Sequence, residues 1–213
     1  MKIDLKKITQ NLDKKALPPP PVELLKKIQG HYAGTLEKYG YEVCRNVGLP
    51  HYFAKYFIST DEKYKSLYRP EARGLFLLGN PGTGKTLALE IFSGLFEIEF
   101  LTASEIGRVF AVDGEADVWE WMKQYKHSDI VIDELGAERD IKVFGNSGIM
   151  IDVLAERYNM FRYYGSRTFF SSNFPRKTLS EIYGERIISR FEEQCIFIAV
   201  TGNDRRKTNI QTN

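Results

Sequence analysis

The sequence predicts an α/β fold: about five parallel strands in one sheet, with helices on both faces. Three observations predict it. From Gly74 onward, short runs rich in Ile, Val, Leu and Phe alternate with longer stretches of helical periodicity. The runs are apolar at consecutive positions, the pattern of strands buried on both faces, and helical crossovers join such strands in parallel. A glycine-rich turn stands between the first run and the first helical stretch. Strands are expected at residues 75–78, 97–101, 130–133, 168–172 and 196–200. Helices are expected at 85–95, 103–110, 116–125, 148–163 and 185–193.

The first strand, Leu75-Phe76-Leu77-Leu78, runs into Gly79-Asn80-Pro81-Gly82-Thr83-Gly84-Lys85-Thr86, which fits G-x-x-x-x-G-K-S/T without a gap. The helical pattern Leu87-Ala88-Leu89-Glu90 follows, so the loop has the strand–loop–helix context that the motif requires. Glycines let backbone N–H groups turn inward around a phosphate with no Cβ in the way, and the helix N-terminus adds a favourable dipole. Lys85 can reach the β- and γ-phosphates, and the Thr86 hydroxyl can ligate Mg²⁺.

After the strand at 97–101 and two helices comes Asp129-Ile130-Val131-Ile132-Asp133-Glu134, an apolar strand ending in two adjacent carboxylates. In a parallel sheet, Asp133 stands at the carboxyl edge beside the phosphate loop, where it can hold Mg²⁺ through water. Glu134 then points toward the γ-phosphate and can orient or deprotonate an attacking water. An acidic pair also suits a helix N-terminus. Asp129 opens the strand as a surface or capping residue.

The strand Thr168-Phe169-Phe170-Ser171-Ser172 ends in Asn173 at the same edge. An amide there can hydrogen-bond the γ-phosphate or the water, or it can simply open the turn at Phe174-Pro175. The last helix holds Gly184-Glu185-Arg186-Ile187-Ile188-Ser189-Arg190-Phe191, and its two arginines, four apart, share a face. They form either surface ion pairs with Glu185, Glu192 or Glu193, or a finger that stabilises charge on a neighbouring subunit's γ-phosphate.

Upstream of the sheet, residues 1–21 read as a lysine-rich arm ending in four prolines, which enforce an extended segment. Val22, Leu25, Ile28 and Tyr32 then fall on one helical stripe. Residues 1–70 carry 13 Lys/Arg against 7 Asp/Glu, whereas residues 71–213 carry 17 against 21. A basic N-terminal third on a mildly acidic body suits an acidic partner, protein or nucleic acid, or a solvated lysine-rich helix. The longest apolar run, Cys195 to Val200, is six residues, against the roughly 20 of a membrane-spanning helix. The N-terminus lacks the apolar stretch of a secretory signal. Cys44 and Cys195 make no disulfide scaffold, and no Cys/His cluster has zinc-ligand spacing. A reducing, cytoplasmic setting without membrane contact is the expectation.

Together these segments resemble the ATPase domain of AAA+ helicase loaders of the DnaC/DnaI type and their IstB-like relatives. The resemblance runs from Gly48-Leu49-Pro50 through Gly79 to Thr86, Phe100-Leu101-Thr102-Ala103-Ser104-Glu105, Asp133-Glu134-Leu135-Gly136-Ala137-Glu138, Ser172-Asn173-Phe174-Pro175 and Gly184 to Phe191, as far as Gly202-Asn203-Asp204-Arg205-Arg206. It covers roughly residues 45–207. The D-E-L-G-A-E and G-E-R-I-x-S-R-F runs are more specific than the phosphate loop, which many unrelated nucleotidases share.

The resemblance implies a three-layer P-loop AAA+ fold without the C-terminal helical lid. It implies ATP/ADP and Mg²⁺ as cofactors. Lys85 and Thr86 are then Walker A, Asp133 and Glu134 Walker B, Asn173 sensor 1 and Arg190 the finger acting in trans, with Arg186 one turn away. Arg205 or Arg206 stands where sensor 2 would be. The chain divides into an N-terminal arm and helix, 1–45, and an ATPase domain, 46–213. The first is shorter than the separate helicase-binding domain of the family. The implied function is loading of a replicative hexameric DNA helicase, with single-stranded DNA and further copies of the chain as partners. The alternatives are an IstB-like helper of a transposase and a small-molecule kinase, for which no arginine-rich lid or acceptor site is evident.

Overall fold

Consecutive apolar residues pull whole strands out of water. Leu75, Phe76, Leu77, Ile130, Val131, Ile132, Phe169 and Phe170 are completely buried, and the sheet forms around them. The computed structural model describes residues 73–140, 147–202 and 204, together with positions 26, 30 and 34. The chain divides into two compact units, Met1–Glu71 and Ala72–Asn213. In the first unit Lys26, Gly30 and Gly34 are helical and exposed, inside the stretch expected to be helical. The arm 1–21, Gly48-Leu49-Pro50, Arg205 and Arg206 lie outside the described residues.

The second unit contains β1 (Gly74–Leu78), α1 (Lys85–Phe96), β2 (Glu99–Thr102), α2 (Ala103–Asp113), α3 (Glu115–Lys123), β3 (Ile130–Asp133), a 3₁₀ turn (Ala137–Asp140), α4 (Ser147–Tyr164), β4 (Thr168–Ser172), α5 (Arg176–Tyr183), α6 (Glu185–Gln194) and β5 (Cys195–Ala199). The five strands form one sheet in the order β2-β3-β4-β1-β5, and every neighbouring pair is parallel. One parallel five-stranded sheet with helices on both faces is the fold class expected from the sequence. Among the described residues no helical lid follows β5, and no helix is long and apolar enough to cross a membrane.

Side chains alternate across the sheet, and this sets the layers. Phe169 meets Phe92 of α1, with ring centroids 4.9 Å apart, whereas its neighbour Phe170 meets Phe191 of α6 at 5.0 Å. Phe76 packs on the same side as Phe170, edge-on to Phe191 at 5.1 Å and stacked on Phe197 at 5.1 Å. Helices α1 and α6 therefore cover opposite faces.

Three readings are corrected. The second strand begins at Glu99, not at 97, because α1 continues to Phe96 and Glu97 closes it in the left-handed region (φ 53°), its N–H returning to the Ser93 carbonyl. A residue in that conformation cannot extend a strand. Helix α5 was not expected at all. Leu179, Ile182 and Tyr183 do fall at helical spacing on its inner side, but the element is only eight residues long and Pro175 at its N-cap reads in sequence as a turn. Asp129, read as a surface or cap residue, instead accepts from the Arg167 backbone N–H (2.7 Å) and pairs with its guanidinium at 2.5 Å.

A fully buried arginine completes the edge opposite the strand ends. Arg157 of α4 donates to the carbonyls of Tyr125 (2.8 Å), Ser128 (3.1 Å) and Arg167 (3.0 Å), and to Thr168 Oγ1 (2.9 Å). Burial pulls it down to about 10, which still leaves it charged at neutral pH. It ties α4 to the segments that enter β3 and β4.

Candidate active site

In the sheet order, β3, β4 and β1 are adjacent. The segments leaving their carboxyl ends are the acid pair, Asn173 and the phosphate loop, so strand order alone gathers the three motifs at one edge. The register agrees: Leu78 stands opposite Ser172, and Ile132 and Phe76 both oppose Phe170.

The phosphate loop is held from both sides. Gly79 N–H donates to the Ser172 carbonyl (3.3 Å), and Thr83 Oγ1 to the Asn80 carbonyl (2.9 Å). Gly82 and Gly84 have φ of 77° and 91°, which side chains rarely adopt, and a Cβ on Gly82 would meet Asp204 Oδ1 at 1.8 Å. Helix α1 starts at Lys85 and has no acidic residue in its first turn, so its positive end is left for an anion. Lys85 is 5% exposed. Its Nζ donates to the Gly79 carbonyl (2.7 Å), the Asn80 carbonyl (2.9 Å) and Asn173 Oδ1 (2.7 Å). The last bond joins the first motif to the third directly. Thr86 is half-buried at the second helical position.

Asp133 is buried and accepts a short hydrogen bond from Ser171 Oγ. The same hydroxyl accepts from the Glu134 N–H (3.1 Å), so one serine of β4 fixes both acidic residues. Glu134 adopts φ 53°, a conformation worth roughly 1–2 kcal/mol of strain for a residue with a side chain. The flanking bonds, Leu135 N–H to the Ser171 carbonyl (2.8 Å) and Ala137 N–H to the Glu134 carbonyl (2.9 Å), hold it there. Partial burial, and secondarily the Asp133 charge, push the Glu90 carboxyl above its usual range. The loop glycines, the buried ammonium and the hydroxyl–carboxylate pair Thr86 and Asp133 thus fit a nucleotide triphosphate with Mg²⁺, and these residues would hold it.

The rest of the D-E-L-G-A-E run has structural tasks. Gly136 (φ 103°) lies where a Cβ would meet the Phe174 ring at 2.6 Å. Glu138 accepts from the Gly136 N–H (2.8 Å) and from the Tyr183 hydroxyl of α5. Ser172 Oγ donates to the Leu135 carbonyl (2.6 Å) and accepts from the Phe174 N–H (3.1 Å). The acid-pair loop and the Asn173 turn are therefore one bonded unit. In Thr102-Ala103-Ser104-Glu105 the side chains of Thr102 and Glu105 form a reciprocal cap on α2.

The structure does not bring the arginines of α6 to this edge unit by any bond. Arg186 is exposed and Arg190 half-buried. The carboxylates offered to them in sequence are engaged elsewhere: Glu192 with Arg176, Glu193 with Arg162 at 3.3 Å, and Glu185 with the Ser180 hydroxyl. Among the described residues neither Arg186 nor Arg190 has an ion pair; Arg190 instead lies over the Tyr158 ring, 5.0 Å from its centroid. Arg205 is outside the described residues. Ser171 was missed in sequence. A serine inside a strand buried on both faces was the available signal, because a buried hydroxyl needs a partner.

Compared with known proteins, residues 75–205, more than half of the chain, match the model of the ATPase family associated with various cellular activities (AAA). Among curated relatives, the chain is 33% identical over 96 residues to the ATP-dependent zinc metalloprotease FtsH 2 of Sorangium cellulosum (strain So ce56), and 37% identical over 86 residues to FtsH 1 of the same strain. These stretches cover 43% and 38% of this chain but only 16% and 14% of those proteins. Among solved structures, DnaI superposes with a TM-score of 0.54 at 22% identity, over 87% of this chain and 94% of that one. A candidate primosome component from Streptococcus pyogenes serotype M3 gives 0.51 at 18% identity, over 78% and 86%. Both likenesses are of fold.

Proposed function

The chain belongs to the ATPase family associated with various cellular activities, and on that premise we propose that it is an ATP-hydrolysing loader of a replicative hexameric DNA helicase. Lys85 and the loop Gly79–Thr86 neutralise and cradle the phosphates, while Thr86 and Asp133 hold Mg²⁺. Glu134 takes the proton of the attacking water, and Asn173 orients that water against the γ-phosphate. Arg190 serves the neighbouring subunit's nucleotide, and Arg205 contacts the nucleotide from beyond β5.

The observation that carries hydrolysis is the Lys85–Asn173 bond of 2.7 Å. It ties the phosphate loop to the turn that Ser171 and Ser172 bond to the acid pair, so a γ-phosphate entering beside Lys85 is registered at Asn173 and Glu134 together. The loader reading is supported by the D-E-L-G-A-E and G-E-R-I-I-S-R-F runs, which resemble helicase loaders more specifically than the phosphate loop does. In this reading copies associate through their ATP sites in the cytoplasm and engage single-stranded DNA. The basic residues 1–45 meet the helicase.

The test uses the full chain as bait for the host replicative helicase with ATP and Mg²⁺, followed by helicase unwinding on circular single-stranded DNA. Capture and ATP-dependent unwinding support the proposal. Capture of a transposase without the helicase overturns the loader reading in favour of the IstB-like one.

A further inference from the structure

The side chain that lies against Arg190 does more than fill space. Tyr158 of α4 is half-buried, and its hydroxyl is held from two sides. It donates to Glu193 Oε2 (2.5 Å) and accepts from Arg162 Nη1 (3.2 Å), while Arg162 pairs with Glu193 Oε1 at 3.3 Å. Swinging the side chain away from Arg190 would break both bonds. The Arg190 guanidinium carbon stands 5.0 Å from its centroid, and that of Arg162 5.9 Å. Arg190 has no ion pair or hydrogen bond among the described residues, although Glu192 and Glu193 follow it on the same helix. Both carboxylates are occupied, by Arg176 and by Arg162.

We propose that Tyr158 is a positioning residue for Arg190, holding the guanidinium over a fixed aromatic face so that it is ready for a phosphate on the adjoining subunit. This rests on the reading of Arg190 as a finger acting in trans. A carboxylate partner would engage the N–H donors that a phosphate needs, and would have to be displaced at each assembly. An aromatic face attracts the cation through its ring quadrupole and leaves the polar donors for the ligand. It also removes rotamer freedom from a long side chain before the neighbour arrives, so less ordering is left to be done at assembly. Arg162 and Glu193 steady the hydroxyl end of the ring, while its half-buried packing keeps the face beneath Arg190.

The experiment mixes two inactive subunits. Lys85→Ala subunits keep the finger and lose the pocket; Arg190→Ala subunits keep the pocket and lose the finger. Their mixture recovers ATPase activity if Arg190 acts in trans. Tyr158→Leu is then added to one subunit at a time. In the finger-donating Lys85→Ala subunit it should cut the recovered rate by about three- to thirty-fold, the kinetic equivalent of one cation–π contact. In the pocket-donating Arg190→Ala subunit it should change nothing, and Tyr158→Phe, which keeps the ring, should retain most of the rate in either. A readout apart from activity is the ¹H NMR shift of the Arg190 Hδ and Hε protons, moved upfield by the ring, returned by Tyr158→Leu and kept by Tyr158→Phe. Equal losses in both placements, or no loss in the finger donor, overturn the positioning role while Arg190 stands. No recovery in the parent mixture, with both variants folded and associating, overturns the finger reading and this inference with it.

Discussion

Glu134 and Ser171 divide the chemistry of the site between a reacting group and the group that aims it. Glu134→Gln keeps size and hydrogen-bonding capacity but removes the base. ATP should bind with unchanged affinity while turnover falls by about 10² or more; equal rates for the two proteins would remove Glu134 from the mechanism. Ser171→Ala leaves both acidic residues in the chain but deletes the hydroxyl between Asp133 and the Glu134 N–H. A buried carboxylate and a half-buried N–H then lose their partner, at about 1–3 kcal/mol of stability. Turnover at saturating ATP and Mg²⁺ should fall about tenfold, because a small misplacement of the base is enough. Urea denaturation and steady-state kinetics on the same sample separate the two effects. A destabilised variant with full turnover would make Ser171 a packing residue alone.

Among the elements, α4 closes one end of the sheet. At its middle Arg157 closes the entries to β3 and β4 by donating to three backbone carbonyls. A hydrophobic replacement cannot remove those acceptors, so Arg157→Met should leave each without its donor. At about 1 kcal/mol or more apiece, the loss is about 3 kcal/mol, a fall in melting temperature of roughly 6–12 °C for a chain of this size. Scanning calorimetry checks it, and a change below 2 °C would mean that water replaces the guanidinium easily. The helices that carried periodic patterns were legible in sequence to within a few residues. Helix α5 was not, because its inward stripe of Leu179, Ile182 and Tyr183 spans little more than one turn and follows a Phe174-Pro175 pair that reads as a turn. Glu97 is the same lesson at one residue: the helix end, not the apolar run, decides where β2 begins.

At the scale of the whole molecule, a ligand that binds the folded state alone stabilises it by mass action. ATP with Mg²⁺ at a hundred times its dissociation constant should add about 2.7 kcal/mol, raising the melting temperature by roughly 5–11 °C. Lys85→Ala should abolish that rise while changing the melting temperature without nucleotide by only a few degrees, because relief of the ammonium's desolvation offsets the donor lost to Gly79, Asn80 and Asn173. Thermal melts with and without nucleotide decide it. A rise that survives Lys85→Ala would place the nucleotide away from Gly79–Thr86.

The phosphate loop, the acid pair and the five strands were legible in the chain because each is local: a run of apolar residues, or a motif whose parts lie within eight positions. The parallel sheet followed from the runs being apolar on both faces. What required the folded molecule was every contact between distant segments. The bond from Lys85 to Asn173, the hydroxyl of Ser171 beneath Asp133 and Glu134, and the ring of Tyr158 under Arg190 join residues 30 to 90 positions apart, approximately. Arg157 and Arg190 look alike in sequence, each an arginine on an amphipathic helix. Tertiary packing made one a buried strut saturated by carbonyls and left the other, among the described residues, over an aromatic face without a hydrogen-bond partner, because strand order and helix packing, not local pattern, decide which polar groups each guanidinium meets.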